Sequence, residues 1–116
     1  MKIEDFRDNG KTFIIAEIGQ AHDGSLGMLY SLLESASSIG VNAVKFQIHI
    51  ADAESSKQEP FRVNFSYQDN TRYDYWKRME FSEKDWYNVK KKCDELQVEF
   101  LATPFSLEAV NLLEKL

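Results

Sequence analysis

The sequence has one cysteine, few positive charges and no long apolar run, and each of these scarcities excludes something. Cys93 is the single cysteine, so the chain forms no internal disulfide, as is typical of proteins in a reducing compartment. Lys and Arg number 14 against 19 Asp and Glu, and the net charge of −5 disfavours nucleic acid and anionic membranes as partners. No apolar run approaches the roughly 20 residues of a transmembrane helix, and residues 1–10 lack the apolar core of a signal peptide. We expect a cytoplasmic protein with no membrane and no nucleic-acid partner.

Two apolar segments predict the first strands of a parallel sheet. Residues 12–18 form an apolar run broken only by Glu17, and residues 43–50 alternate apolar with polar side chains. Between them, Ser25 is an expected N-cap, followed by leucines at spacings of three and four that give a helix one apolar face. Gly40 is expected to end this helix. The order strand, helix, strand predicts a βαβ unit.

The second half of the chain repeats the pattern. Ser82 followed three residues later by Asp85 resembles a capping box and predicts a helix that carries Cys93 on its apolar face as an inert core residue. A third short strand is expected over residues 98–102, ended by Thr103-Pro104, and residues 106–116 have the pattern of a last helix.

Residues 51–80 interrupt the alternation of strands and helices. They are rich in charged and aromatic side chains and show no clear apolar period. A structureless loop of this length in a compact domain is normally functional. We therefore predict a functional loop over the strand ends, with a short helical turn near residues 75–79.

The element order β-α-β-loop-α-β-α predicts an α/β protein with a parallel sheet. Three parallel strands leave unpaired edges, whereas parallel sheets are normally buried. We therefore expect the N-terminal three βα units of a (β/α)8 TIM barrel, a fold of about 250 residues, with a doubly wound fold as the alternative. In this interpretation residues 1–11 are a lead-in and residues 12–116 are a partial barrel domain.

Both architectures place their sites at the carboxyl ends of the strands. Glu17 lies near the end of the first strand, Lys45 and Gln47 lie on the polar side of the second, and Thr103 follows the third. If the apolar residues of the second strand face the helices, these polar side chains lie close together in the barrel interior, at the carboxyl ends of the strands. A buried carboxylate without a partner is costly, so Glu17 indicates either a functional site or a structural ion pair with Lys45.

Two other features carry weaker signals. The glycine-rich turn over residues 19–27 is either a tight turn or a place where backbone N–H groups meet an anion. His22 and His49 lack the spacing and neighbours of metal ligands, so we predict no metal site from this pair.

Four motifs, taken together and in order, resemble the sialic acid synthase family, which includes the N-acetylneuraminate, pseudaminic acid and legionaminic acid synthases. They are IAEIGQAHDG at residues 15–24, AVKFQ at 43–47, MEFS at 79–82 and FLATPFS at 100–106. The resemblance covers about residues 12–116.

The resemblance implies a phosphoenolpyruvate-dependent condensation with an N-acylated amino sugar such as N-acetylmannosamine. The products are a nine-carbon α-keto sugar acid and phosphate. The resemblance also implies a divalent cation, Mn²⁺ or Mg²⁺, with ligands on later strands that are not in this chain. A C-terminal antifreeze-like domain and a homodimer are expected in the full-length protein.

By the same resemblance, Glu17 is a catalytic residue. Five other residues are expected to bind substrate. Lys45 and Thr103 would bind phosphoenolpyruvate, Gln47 and Phe105 would bind the amino sugar, and His22 in the first turn is a further substrate-binding residue. Ala21 departs from the family pattern, which has Asn before this His, and it removes a hydrogen-bonding side chain. Two alternatives stay open, a Schiff-base aldolase that uses Lys45 and a non-catalytic binding or assembly module.

Overall fold

The computed structural model describes residues 3–116 and contains a three-stranded parallel sheet in the order β1-β2-β3. Residues 1 and 2 of the predicted lead-in lie outside the described part. No helix within residues 3–116 has the length and apolar character needed to cross a bilayer. The elements are α1 (Ile3–Asp8), β1 (Ile15–Gly19), α2 (Leu26–Ser38), β2 (Ala43–Ile48), α3 (Ala51–Glu54), α4 (Arg72–Met79), α5 (Glu83–Glu95), β3 (Glu99–Pro104) and α6 (Leu107–Lys115).

The three long helices begin where the sequence predicts. The side chains of Ser25, Ser82 and Ser106 each accept a hydrogen bond from the backbone N–H three residues later. Asp85 completes the capping box by accepting from the Ser82 backbone N–H at 3.1 Å. At the other end of α2, Gly40 takes a φ of +86°, a left-handed conformation that a glycine adopts without steric cost. Local capping chemistry therefore sets these boundaries.

One apolar layer joins the sheet to the helices. The β2 side chains Val44, Phe46 and Ile48 are fully buried, as predicted for the side that faces the helices. They belong to a single core cluster whose helical members come from α2, α5 and α6: Leu29, Leu33, Ala36, Trp86, Val89, Cys93, Ala109 and Leu112. Cys93 is fully buried in this cluster, which confirms its predicted core position, and burial raises the pKa of its thiol to about 12.

The opposite face of the sheet carries the half-exposed side chains of alternate residues. Lys45 and Gln47 of β2 point to this side, which we call the open face, together with Glu17 of β1 and Thr103 of β3. In a doubly wound fold helices cover both faces, whereas in a barrel they cover the outside alone. The packing of α2, α5 and α6 into one cluster on one side favours the barrel arrangement.

Three strand boundaries differ from the predictions by two or more residues. The first strand begins at Ile15, because the Asn42 side chain already accepts from the Ile14 N–H at 2.8 Å and replaces a ladder bond there. The second strand ends at Ile48 rather than residue 50, since Ile50 is the N-cap of α3. The expectation that Thr103-Pro104 ends the third strand is wrong, because both residues lie in β3. Proline is tolerated at this last position of the strand, where no ladder N–H is required.

The segment over residues 51–80 is more ordered than predicted. It contains α3 and α4, and the predicted turn near residues 75–79 is the second half of the eight-residue helix α4. Thr71 caps α4 by accepting from the Asp74 N–H at 3.1 Å, and this cap was not recognised in the sequence. Helix α1 was also missed, and it is held by an edge-to-face contact between Phe6 and Phe13 with ring centroids 5.1 Å apart.

Candidate active site

Glu17 and Lys45 form an ion pair on the open face. They are partners in the β1–β2 register, and Lys45 Nζ lies 2.9 Å from Glu17 Oε2. In this three-stranded sheet 48% of the Glu17 side chain and 40% of that of Lys45 are exposed, and the expected burial of Glu17 inside a complete barrel stays a prediction. Side chains alternate between the faces of a strand, and the core side of β1 is taken by Ile18. The pair therefore places one negative and one positive charge at an accessible surface.

Gln47 and Thr103 lie one step further toward the carboxyl ends of the strands. The two residues are partners in the β2–β3 register. Beside them, the β1–β2 register shifts between Glu17 and Gly19, and Gly19 has a φ of +54°. A Cβ at Gly19 would lie 3.4 Å from Gln47 Nε2 and 3.5 Å from Glu17 Oε1. Gly19 therefore packs against the Gln47 amide and the Glu17 carboxylate, and its positive φ favours glycine at this position.

Phe105 follows β3 and reaches the same edge of the sheet. Its ring stacks on His49 with centroids 4.2 Å apart, and 45% of the residue is exposed. On its other side His49 stacks on Trp76 of α4 at 3.9 Å, so the three rings form one stack. The loop segment over residues 51–80 therefore touches the open face through Trp76.

The contacts of His49 with Gln47 and Glu54 at this edge of the sheet are not indicated by any sequence motif. The His49 ring lies 3.1 Å from Gln47 Oε1 through Nε2 and 2.8 Å from Glu54 Oε1 through Nδ1. The sequence predicts His49 on the same side of the second strand as Lys45 and Gln47, and it predicts no metal site from His49 and His22. The signal available in the sequence was a His two residues after Gln47, on the same side of the strand, with a carboxylate one helical turn later.

His22 does not reach the open face. It is fully buried, accepts a hydrogen bond from the Gly24 N–H through Nδ1 at 3.0 Å and packs against Phe81 at 4.8 Å. Burial lowers the pKa of His22, and Asp23 partly offsets this effect. In the described part of the chain its Nε2 has no hydrogen-bond partner. Its assignment as a substrate-binding residue stays a prediction.

A second network fastens the loop segment to the first turn. Arg78 of α4 donates to the Asp69 carboxylate through Nη2 at 2.9 Å and to the backbone carbonyl and carboxylate of Asp23 through Nη1, both at 2.9 Å. A Cβ at Gly24 would collide with the Arg78 carbonyl oxygen, so the turn approaches α4 closely because residue 24 is glycine. The turn over residues 19–27 is therefore a packed tight turn against α4.

The open face offers no set of metal ligands within residues 3–116. Across these residues, no three or more His, Cys, Asp or Glu side chains lie close enough together to hold a metal ion. The Glu17 carboxylate is engaged by Lys45, and both ring nitrogens of His49 have protein partners. The described residues therefore form no cation site by themselves, and the ligands that the resemblance implies, on later strands outside this chain, stay a prediction.

Comparison with known proteins agrees with this arrangement. A family model described as the NeuB family matches residues 32–116. The N,N'-diacetyllegionaminic acid synthase of Legionella pneumophila is 32% identical over 118 residues, which cover 97% of this chain and 33% of that protein. The synthase of the same name from Campylobacter jejuni is 34% identical over 112 residues, covering 91% of this chain and 33% of that protein. The chain thus spans about a third of the length of these relatives.

A solved structure is similar over nearly the whole chain. The crystal structure of the N-acetylneuraminic acid synthetase from Leptospira borgpetersenii, in complex with citrate, superimposes with a TM-score of 0.67 at 26% identity. The match covers 89% of this chain and 32% of that one. It confirms the α/β class and the first three βα units of a (β/α)8 barrel. The family resemblance seen in the four sequence motifs is confirmed as well, and the chain belongs to the NeuB family.

Proposed function

We propose that this chain supplies the phosphoenolpyruvate and amino-sugar contacts of the first three strands in a sialic-acid-type synthase. The reaction would join C3 of phosphoenolpyruvate to the aldehyde carbon of an open-chain N-acylated amino sugar. Water would then add at C2, and phosphate would leave as the C–O bond breaks. The product is a nine-carbon α-keto sugar acid.

One observation carries this proposal. Four polar side chains from three neighbouring strands share the open face, and their registers pair Glu17 with Lys45 and Gln47 with Thr103. This combination provides a cation, a carboxylate, an amide and a hydroxyl at the carboxyl ends of parallel strands, where barrel enzymes carry their sites. The family membership of the chain supports the same reaction class.

Lys45 is suited to the anionic substrate. Phosphoenolpyruvate carries several negative charges, and a lysine ammonium on a flexible stem binds such an anion as a point charge. The Thr103 hydroxyl, beside Gln47 in the register, adds a hydrogen-bond donor. The ion pair of Lys45 with Glu17 keeps the ammonium on the open face before substrate arrives.

Glu17 supplies the negative charge of the site. A carboxylate accepts hydrogen bonds, either from a sugar hydroxyl or from the water that adds at C2, and in the second case it also takes up the proton. Gln47 and the exposed edge of Phe105 then form the side of the site that receives the amino sugar, with the amide giving polar contacts and the ring an apolar surface.

Three further properties belong to the proposal. The reaction would require Mn²⁺ or Mg²⁺, whose chemistry is to polarise the aldehyde, held by residues outside this chain. The full-length protein would be a homodimer, and it would work in the cytoplasm. The buried reduced thiol of Cys93 is compatible with that compartment.

The test is phosphate release by the full-length protein that carries this segment. Purified protein is incubated with phosphoenolpyruvate, Mn²⁺ and either N-acetylmannosamine or a diacetamido hexose, and free phosphate is measured. We expect release with at least one sugar and none when the sugar is omitted. Glu17→Gln should abolish release, whereas Glu34→Gln, which replaces an exposed carboxylate on α2, should not. Absence of phosphate with every sugar would contradict the proposal.

The two alternatives give different results in the same experiment. A Schiff-base aldolase requires Lys45 to attack as a free amine and therefore to leave its 2.9 Å ion pair with Glu17. Borohydride would then trap a substrate adduct on Lys45. A binding module would retain phosphoenolpyruvate in a binding assay and release no phosphate.

A further inference from the structure

The loop segment over residues 51–80 forms a cavity that the proposed reaction does not use. The cavity has a volume of about 310 Å³, and its lining includes none of the open-face residues Glu17, Lys45, Gln47 and Thr103. Binding sites for small ligands begin at about 300 Å³, so this cavity has room for a compact ligand. Its lining combines aromatic rings with guanidinium groups, from Phe61, Phe65, Tyr75, Trp76, Arg62 and Arg72.

The aromatic residues of the cavity hold one another in place. Phe65 contacts Phe61 and Tyr75 edge to face, with ring centroids 5.1 and 5.0 Å apart. Tyr75 contacts Trp76 at 4.8 Å, and Trp76 is also held by its stack on His49 at 3.9 Å. Phe65 nevertheless stays 59% exposed, so part of this apolar wall is open to a ligand. A flat ring that enters the cavity therefore meets aromatic surfaces that are already positioned.

Arg62 and Arg72 give the cavity a positive charge that no carboxylate within residues 3–116 neutralises. The chain has four arginines, and the other two, Arg7 and Arg78, each form an ion pair with a carboxylate. The Arg72 guanidinium carbon instead lies over the Trp76 ring, 5.8 Å from its centroid. In a chain with a net charge of −5, both arginines that lack an acidic partner in the described residues thus lie at one cavity.

The rings and the charges together define the class of ligand. A guanidinium presents paired N–H donors that match a carboxylate or a phosphate, and it repels cations. Aromatic walls favour a flat apolar ring over a small inorganic ion. We propose that the cavity binds a small anion that carries a planar ring, with the ring against Phe65 and Tyr75 and the anionic group at Arg62 and Arg72. The open face plays no part in this binding, which is therefore independent of the proposed reaction.

Calorimetric titration of the full-length protein with phenylacetate and phenyl phosphate tests the ligand class. These probes carry a carboxylate and a phosphate on the same ring, so the comparison decides which anionic group the arginines accept. We expect saturable binding of one molecule per chain for at least one probe, with a Kd of about 1 mM or lower. Acetate, inorganic phosphate and benzyl alcohol each supply one half of the ligand and should bind roughly tenfold more weakly.

Arginine variants test where the anionic group lies. Arg62→Met and Arg72→Met should each raise Kd roughly tenfold, because a charge-assisted hydrogen bond is lost. Arg7→Met is the matched control, since Arg7 lies in an exposed ion pair with Asp8, and Kd should stay within about twofold. Lys45→Met should also leave Kd unchanged, because Lys45 belongs to the open face and not to the cavity.

The emission of Trp76 reports on the cavity directly. A bound ring changes the surroundings of Trp76, whereas Trp86 is 2% exposed and does not line the cavity. The probe that binds should therefore change the tryptophan emission of the wild-type protein, with the same Kd as in calorimetry. Trp76→Phe retains an aromatic ring in the wall and should abolish this change in emission.

Several results would overturn this assignment. No saturable binding of either probe up to about 10 mM would show that the cavity takes no such ligand, or that another part of the full-length protein fills it. Benzyl alcohol that binds as tightly as the two anions would show an apolar cavity in which the arginines have no role. Unchanged Kd values in both Arg62→Met and Arg72→Met, or a change in emission that survives Trp76→Phe, would place the ligand elsewhere.

Discussion

Replacement of Arg78 by Met should loosen the packing of residues 61–80, the second part of the loop segment, against the rest of the protein. Arg78 donates to Asp69 through Nε at 3.1 and 3.2 Å and through Nη2 at 2.9 Å, and Nη1 reaches Asp23. The Asp69 side chain is 6% exposed and that of Arg78 27% exposed. Methionine retains much of the apolar stem of arginine but leaves the nearly buried carboxylate of Asp69 without its cation.

The magnitude follows from the burial of the carboxylate that stays behind. Removing one partner of a buried ion pair costs about 3–5 kcal/mol. Ser66 still donates to Asp69 at 2.7 Å, and Arg78 is partly solvated, so we take the lower end, about 3 kcal/mol. If this cost falls on the local opening of the segment, its amides should exchange roughly 100-fold faster, since each 1.4 kcal/mol is about tenfold.

Hydrogen exchange read by mass spectrometry on peptides from residues 61–80 of the full-length protein measures this effect. Arg7→Met is a matched control, because Arg7 pairs with Asp8 in a surface contact that is 76% and 64% exposed. Such a pair contributes about 1 kcal/mol or less, so exchange in the control should change by less than about fivefold. An Arg78→Met variant within the same limit would refute the reasoning.

Two further measurements identify the charge as the cause. Adding Asp69→Asn to Arg78→Met should recover part of the protection, because the uncompensated charge disappears. Hydrogen bonds from Arg78 and Ser66 hold the pKa of Asp69 below its ordinary value of about 3.9. The stabilisation is therefore complete above that pH and is lost as pH falls through the folded-state pKa. In Arg78→Met this loss at low pH should disappear, because protonation of Asp69 then removes an uncompensated charge just as Asp69→Asn does.

Three other variants or probes have defined outcomes. Lys45→Met should raise KM for phosphoenolpyruvate roughly 10- to 100-fold, because a charge-assisted hydrogen bond of about 1.5–3 kcal/mol is lost. An unchanged KM in phosphate-release kinetics would contradict the role of Lys45. Gly24→Ala should lower the melting temperature more than Gly40→Ala, because both have positive φ but the Cβ at Gly24 alone meets the Arg78 carbonyl; equal shifts would argue against this contact. Cys93 should react with iodoacetamide at about pH 8 much faster in denaturant than in the native protein, since burial raises the pKa of its thiol to about 12; fast native labelling would be inconsistent with the core position.

The parts of the fold that depend on local chemistry were predictable from the sequence. The caps at Ser25, Ser82 and Ser106 and the left-handed Gly40 follow from side-chain and backbone preferences of single residues. The alternation in β2 correctly separated core side chains from those of the open face. The side of β2 that faces the core was predictable, because successive side chains point to opposite faces and the apolar residues all fall on one of them.

The parts that depend on long-range contacts were not predictable in the same way. The apolar neighbours of Glu17 in sequence suggest burial, but its burial depends on strands outside this chain that would face the open face, so local sequence does not decide it. The strand position of Thr103-Pro104 depends on pairing with β2, which overrides the usual effect of proline at a strand end. The stack of Trp76 on His49 joins residues from a loop segment and a strand end, and no local period reveals it.

The mass of the reaction product tests the central claim most directly. The full-length protein is supplied with phosphoenolpyruvate labelled with carbon-13 at C3, the amino sugar that gives the highest phosphate release, and Mn²⁺. We predict a single product whose mass is that of the sugar extended by three carbons as an α-keto acid, with the label at the new carbon–carbon bond. Labelled pyruvate together with unchanged sugar would show hydrolysis without condensation and would contradict the account.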